Sequence, residues 1–133
     1  MDIPQGYKLL FRSSPFLDLL GPFYYREDSE GFIVGIRVEE KHANARGLAH
    51  GGLFMALADI ALGYSAAFSK DPPLKLVTTT LTTDFAGSAK VGDWLEAKVD
   101  IQKTGSRLVF ANTYICVDDE RVVRASASFL VAS

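Results

Sequence analysis

Cysteine is nearly absent from the sequence, which holds Cys116 alone among 133 residues. A single cysteine excludes an intramolecular disulfide and a thiolate cluster that could hold a metal. The two histidines, His42 and His50, have no cysteine near them and do not match a zinc-binding pattern. No phosphate-binding loop is present either. We therefore expect no metal and no other bound cofactor.

Strong charge and membrane-spanning segments are also missing. Fourteen basic residues face sixteen acidic ones, the formal net charge is −2, and no basic cluster stands out, so nucleic acid is not an expected partner. The amino-terminal stretch lacks the basic region and apolar core of a signal peptide. The longest apolar run, residues 53–68, is shorter than the roughly 20 residues of a membrane span and contains Asp59. We expect a cytoplasmic protein with no membrane partner.

Apolar residues make up 48% of the chain, which is enough for the core of one domain over residues 1–133. Residues 1–21 predict an amino-terminal extension with a short helix from Pro15 to Leu20, capped by Ser13 or Ser14 and stopped before Pro22. After it, residues 23–26 and 31–38 predict a hairpin, because apolar and polar positions alternate along the second segment.

One central helix is predicted over residues 51–69, about 27 Å long at 1.5 Å per residue. Its apolar side chains point in every direction, so it should be enclosed on most sides. Residues 74–132 predict the main strands, with ranges 74–85, 94–103, 107–117 and 121–132. Their tight turns predict an antiparallel meander. The sum is an α+β fold in which a curved antiparallel sheet wraps around one long helix.

Asp59 poses a question, because burial of its charge inside an apolar helix is unfavourable. The carboxylate could pair with Lys or Arg, accept bonds from backbone amides, reach solvent, or act in catalysis. Catalysis gains support from Gly51 and Gly52 at the helix start. First-turn N–H groups there lack intrahelical partners, and glycines let a ligand approach closely. Such donors can polarise a carbonyl and stabilise the oxyanion that forms when it is attacked.

The distance between these two features predicts an oligomer. Asp59 lies seven to eight residues beyond Gly51 and Gly52, which is two helical turns or about 11 Å along one chain. One chain therefore does not easily bring its own Asp59 to a carbonyl held at its own Gly51. We infer a two-fold dimer with antiparallel helices, in which the partner subunit supplies the aspartate.

The pattern N-x5-HGG-x6-D is formed by Asn44, His50, Gly51, Gly52 and Asp59, and the sequence AKVGD at residues 89–93 follows between two predicted strands. Over residues 30–132 this resembles the hotdog-fold acyl-CoA thioesterases of the phenylacetate-pathway type. The resemblance implies hydrolysis of an acyl-CoA to a free acid and coenzyme A, which is part of the substrate and not a cofactor. It also implies a homo-oligomer with shared sites, a dimer and further a homotetramer built as a dimer of dimers.

The resemblance implies a role for each matching residue. Asp59 is the nucleophile or general base and acts across the dimer interface, while Gly51 donates its N–H to the thioester carbonyl. Asn44 positions water or the carbonyl, His50 lies beside it, and Thr78 matches a hydroxyl that orients water. Alternatives remain for three of them: His50 could donate a bond that fixes the loop, Asn44 could cap the loop, and Thr78 could simply favour a strand.

Further residues are expected to line the substrate site. Strand alternation places Thr78, Thr80, Thr82 and Asp84 on one face. Three residues are expected to bind substrate: Gly52, Phe54 and Thr80. Aromatic side chains could shape an aryl or medium-chain acyl pocket or belong to the core: Phe23, Tyr24, Tyr25, Phe54, Tyr64 and Phe68. Two other functions stay open, a non-catalytic acyl-CoA binder and a hotdog dehydratase or hydratase.

Overall fold

One antiparallel sheet and one long helix dominate the computed structural model, which describes residues 2–132. This confirms the predicted α+β class and the curved sheet around a central helix. The helices are α1 (Pro15–Leu20) and α2 (Gly51–Ala67). The strands are β1 (Lys8–Leu9), β2 (Tyr24–Asp28), β3 (Gly31–Arg37), β4 (Leu76–Phe85), β5 (Trp94–Thr104), β6 (Leu108–Val117) and β7 (Glu120–Val131).

The strands lie in the order β1-β2-β3-β5-β6-β7-β4, with antiparallel neighbours throughout. The predicted β2–β3 hairpin and the β5–β6–β7 meander are both present. β4 departs from the chain order, because it follows α2 yet pairs with the last strand, β7. As a result, a ten-residue strand forms one edge of the sheet, beside the helix.

Helix α2 is held by apolar contacts with the inner face of the sheet. Leu57, Ala58, Ala61 and Leu62 are each 0% exposed, and α2 contacts β3, β5, β6 and β7 as well as the edge strand β4. The helix ends at Ala67, two residues earlier than predicted, because the chain turns back toward Leu74 through the consecutive prolines that follow.

A β-bulge in β4 changes which of its threonines face the helix. Thr78 pairs with the buried Phe129, so it lies on the inner face, whereas Thr80 pairs with Ser128 on the outer face. The extra residue, Thr79, reverses the alternation between them. The prediction that Thr78, Thr80, Thr82 and Asp84 share one face is therefore wrong for Thr78. It is correct for the other three, which pair with Ser128, Ser126 and Arg124.

The amino-terminal extension packs against the sheet and the end of α2. Ser14, one of the two predicted caps, accepts a hydrogen bond from the Leu17 N–H at 3.3 Å and begins α1. Phe11 contacts the rings of Tyr25 and Phe68 edge-on, with centroids 5.2 and 5.1 Å away. Within residues 2–132, no helix has both the length and the apolar character needed to cross a membrane.

Candidate active site

The loop before α2 is organised by Asn44. Its side-chain oxygen accepts hydrogen bonds from the Arg46 N–H at 2.8 Å and the Leu48 N–H at 3.2 Å, a typical asparagine turn. Gly47 has φ of 78°, a conformation that favours glycine. The geometry supports the alternative in which Asn44 caps the loop.

His50 is the N-cap of α2. Its Nδ1 accepts a hydrogen bond from the Gly52 N–H at 3.1 Å, and its backbone N–H donates to the His42 carbonyl at 2.8 Å. The ring therefore fixes the loop as an acceptor, whereas the sequence suggested a donor. Since Nδ1 accepts, a neutral ring carries its proton on Nε2, and the exposed side chain lies at the protein surface.

Gly51 and Gly52 differ in what their N–H groups do. The Gly52 N–H is occupied by His50, whereas no hydrogen bond among the described residues uses the Gly51 N–H. Gly51 is the first residue of α2 and half-buried, and a Cβ at this position would lie 3.5 Å from the Phe85 ring of β4. Gly51 is thus the available backbone donor at the positive end of the helix.

The Asp59 carboxylate points toward β4 and not into the closed core. It is half-buried, and its Oδ1 accepts a hydrogen bond from Thr78 Oγ1 at 2.8 Å. None of the four salt bridges within residues 2–132 includes it. The apolar helix therefore carries an unpaired carboxylate that is oriented by a hydroxyl and reaches an open cleft.

That cleft lies between α2, β4 and the amino-terminal extension and has a volume of about 460 Å³, a size typical of small-molecule sites. Asp59 and Thr78 line it together with mostly apolar side chains. The other lining residues are Arg12, Ser14, Leu17, Ile60, Gly63, Tyr64, Ala67, Leu74, Lys75, Leu76 and Phe129.

The structure does not bring every predicted site residue to this cleft. Gly51 lies eight residues before Asp59, about 12 Å along the helix. Phe54 is 2% exposed and packs on Phe85, with centroids 6.2 Å apart. Thr80 lines a separate depression of about 260 Å³ on the outer face of the sheet. Neither Phe54 nor Thr80 faces Asp59.

Arg12 and Lys75 line the cleft but were not found from the sequence. Both lie far from the HGG loop in the chain, and neither belongs to a recognisable motif. Only the packing of the amino-terminal extension against α2 brings Arg12 to the same cleft as Asp59.

The match of the chain to a family sequence profile shows which family it belongs to. The sequence profile of the thioesterase superfamily matches residues 46–124, more than half of the chain. The chain belongs to the thioesterase superfamily. The matched region contains α2 with Gly51 and Asp59, and β4 with Thr78. The family suggested by the HGG pattern is thereby confirmed, and with it the hotdog fold.

Three proteins illustrate the relationship. The Pseudomonas aeruginosa protein PA0474, which carries a provisional esterase name, is 48% identical over 130 residues, or 97% of each chain. Acyl-coenzyme A thioesterase 13 of mouse is 30% identical over 83 residues, which are 62% of this chain and 59% of the mouse protein. The structure of the Escherichia coli PaaI protein, from the phenylacetic acid degradation operon, aligns with a TM-score of 0.72 and 22% identity over 77% of this chain and 72% of PaaI. This last likeness supports the fold alone.

Proposed function

We propose that this thioesterase superfamily member hydrolyses acyl-CoA thioesters and that Asp59 is its catalytic carboxylate. One observation carries the proposal: the Asp59 carboxylate, set in an apolar helix, is held by Thr78 at an open cleft and has no cationic partner. A carboxylate with a purely structural role would be expected to form an ion pair or cap backbone amides. The name of the mouse acyl-coenzyme A thioesterase supports this class of substrate, and the esterase name of the Pseudomonas aeruginosa relative supports ester hydrolysis more generally.

The reaction needs only one base and one oxyanion donor. Asp59 takes a proton from water as the water oxygen bonds to the thioester carbonyl carbon, or its own oxygen attacks that carbon. The negative charge that develops on the carbonyl oxygen is stabilised by the Gly51 N–H at the start of α2. The C–S bond then breaks, and the thiolate leaves and receives a proton. When Asp59 acts as the base, its carboxyl group returns the proton that it took from water, and the free acid leaves directly. When the Asp59 oxygen attacks, the product is an acyl-aspartate anhydride, which a water molecule then hydrolyses to release the acid and restore the carboxylate. Thr78 orients the Asp59 carboxylate through its hydrogen bond.

Asp59 and Gly51 act on one thioester only if they come from different subunits. They lie about 12 Å apart along the axis of α2, so we place them together across a homodimer with antiparallel helices. Edge strand β4 supports this arrangement, because it lies beside α2 with Val77 and Phe85 55% and 50% exposed. A long exposed edge strand is a natural pairing surface. Assembly of two such dimers into a homotetramer stays a prediction.

Asn44 and His50 act as positioning residues in this proposal. Asn44 holds the turn that leads into the helix, and His50 removes the Gly52 N–H from competition while it fixes the first turn. A single donor, Gly51, is then presented to the substrate.

Thiol release from a panel of aryl and aliphatic acyl-CoAs tests the proposal, with the wild type compared to Asp59→Asn. We expect the wild type to release coenzyme A. The rate of release by Asp59→Asn should be lower by a factor of about 10² or more. Asparagine keeps the shape and the acceptor oxygen for Thr78, so the fold and acyl-CoA binding should persist. If the wild type binds acyl-CoA but releases no thiol from any member of the panel, the protein is instead a non-catalytic acyl-CoA-binding protein.

A further inference from the structure

The Asp59 cleft has chemically different ends. Along α2, its lining residues run from Asp59 to Ala67, eight residues later, which is about 12 Å. Along the neighbouring strand they run from Thr78 back to Leu74. At one end of the cleft, Thr78 donates a hydrogen bond to Asp59. The opposite end of the cleft therefore lies near the carboxyl-terminal end of α2 and the start of β4.

Two cations mark that opposite end. The Arg12 guanidinium lies 5.5 Å from the ring centroid of Phe68, the residue that caps α2. Lys75 immediately precedes β4 and lines the same cleft. Neither side chain takes part in a salt bridge within residues 2–132. The far end of the cleft therefore presents two positive charges with no acidic partner.

Apolar side chains fill the interval between these ends. Among them, Leu17 comes from α1, Ile60 from α2 and Phe129 from β7. A linear ligand in this cleft meets a carboxylate and a hydroxyl, then an apolar stretch, then two cations. A wholly apolar acyl group would contact the apolar stretch but would leave the two cations without an anionic partner.

We propose that the cleft binds acyl groups that carry an anion, best a carboxylate, at the end remote from the thioester, and that Arg12 and Lys75 bind this anion. The proposal rests on the proposed function, since it places the thioester at Asp59. A guanidinium suits carboxylate recognition because its planar donors match both oxygens. Arg12 and Lys75 thereby become residues that determine the specificity for the acyl group.

Coenzyme A phosphates are the other source of anionic groups in such a substrate. They remain on the same side of the thioester whichever acyl chain is attached. If Arg12 and Lys75 bind the acyl carboxylate, their substitution weakens the binding of only those esters that carry one. If they bind the phosphates, their substitution weakens the binding of every CoA ester and of coenzyme A itself.

The test compares octanoyl-CoA with suberyl-CoA, which has the same chain length and a terminal carboxylate. kcat and KM are measured for the wild type, Arg12→Gln, Lys75→Gln, the charge-preserving Arg12→Lys, and Lys8→Gln as a control on the same extension outside the cleft. Product inhibition by coenzyme A is measured for each. Arg12 and Lys75 are exposed, so neither substitution should affect folding.

We expect the wild type to prefer suberyl-CoA in kcat/KM. Arg12→Gln and Lys75→Gln should each raise KM for suberyl-CoA about fivefold, the upper range for an exposed ion pair, and so lower the ratio of kcat/KM for suberyl-CoA to that for octanoyl-CoA. Arg12→Lys should retain most of the preference, and Lys8→Gln all of it.

Two results would overturn the inference while the thioesterase proposal stands. One is hydrolysis of both esters with equal kcat/KM and no effect of either glutamine variant on their ratio. The other is an equal rise in KM for both esters together with weaker inhibition by coenzyme A, which would assign the cations to its phosphates. Failure to hydrolyse any CoA ester would instead refute the proposed function.

Discussion

The two flanks of helix α2 have different surroundings. On the closed flank, Leu57, Ala58 and Ala61 are wholly buried. On the open flank, Met55 is 39% exposed and Asp59 is half-buried beside the edge strand β4. The helix is enclosed on the first flank and open on the second, which is where its unpaired carboxylate lies. Stability and chemistry are therefore expected to respond to different substitutions on one helix.

The largest effect is expected at the start of α2, where the Gly51 N–H is the proposed donor to the thioester carbonyl oxygen. Gly51→Pro removes one N–H at the first helical position, where proline is well tolerated, and His50 already has the extended backbone, ψ of 142°, that precedes a proline. We expect kcat to fall about 10² to 10³-fold with little change in Tm. Gly51→Ala retains the N–H and should stay within a few-fold of the wild type. Equal losses in the two variants would argue for a steric effect.

Truncation on the closed flank should unfold the protein more readily than truncation on the open one. Leu57→Ala leaves a cavity in a fully buried site, and we expect it to lower the free energy of unfolding by about 2 to 5 kcal/mol. The matched change Met55→Ala should cost less than about 1 kcal/mol in the isolated protomer. Denaturant unfolding at a concentration that keeps the protein monomeric measures both. Similar losses for the two would remove the distinction between the flanks.

A smaller effect is expected at Thr78, which orients the carboxylate of Asp59, the proposed catalytic group. Thr78→Val removes the hydroxyl that donates a hydrogen bond to Asp59 and retains the branched shape. We expect kcat to fall about tenfold, which corresponds to the net free energy of one hydrogen bond. Thr82→Val, on the outer face of the same strand, serves as the control and should leave kcat unchanged. A drop in Tm of Thr78→Val without any drop in kcat would indicate that the bond is only structural.

The smallest effect concerns the anchor of the amino-terminal extension that carries Arg12 to the open flank. Burial, and then a hydrogen bond from Tyr7 to Glu96, raises the pKa of the Tyr7 phenol above its ordinary value of about 10. Protonated Tyr7 therefore contributes stability below pH 10, and this contribution is lost as pH rises toward the higher folded-state pKa. Tyr7→Phe should flatten the alkaline loss of stability, as followed by denaturant unfolding between pH 8 and pH 11. An unchanged slope would contradict the anchor.

The sequence predicted what depends on local patterning. Strand alternation located β5 to β7, and the HGG pattern located the helix start, the family and Asp59. It did not predict the outward face of Thr80, since one extra residue in β4 reverses the alternation without any change of composition. Nor did it predict that Asp59 reaches an open cleft, because this depends on β4 pairing with β7, a strand formed some 40 residues later.

The loop residues show a second limit. Asn44 and His50 have the side-chain chemistry of catalytic groups, and the sequence left their roles open. In the structure the oxygen of Asn44 and the Nδ1 of His50 are both occupied by backbone N–H groups. The choice between catalysis and capping depends on which backbone donors the loop places within reach, and only the folded loop determines that.

Subunit complementation tests most directly the central claim that each site combines the open flanks of two subunits. Asp59→Asn and Gly51→Pro are co-expressed in equal amounts, and thiol release is compared with each variant alone. Either homodimer lacks a complete site, whereas a heterodimer joins one intact Gly51 to one intact Asp59. With half of the dimers mixed and one of two sites restored in each, we predict recovery of about a quarter of the wild-type rate. Mixed dimers as inactive as the separate variants would contradict the shared site and require Asp59 and Gly51 to act within a single chain.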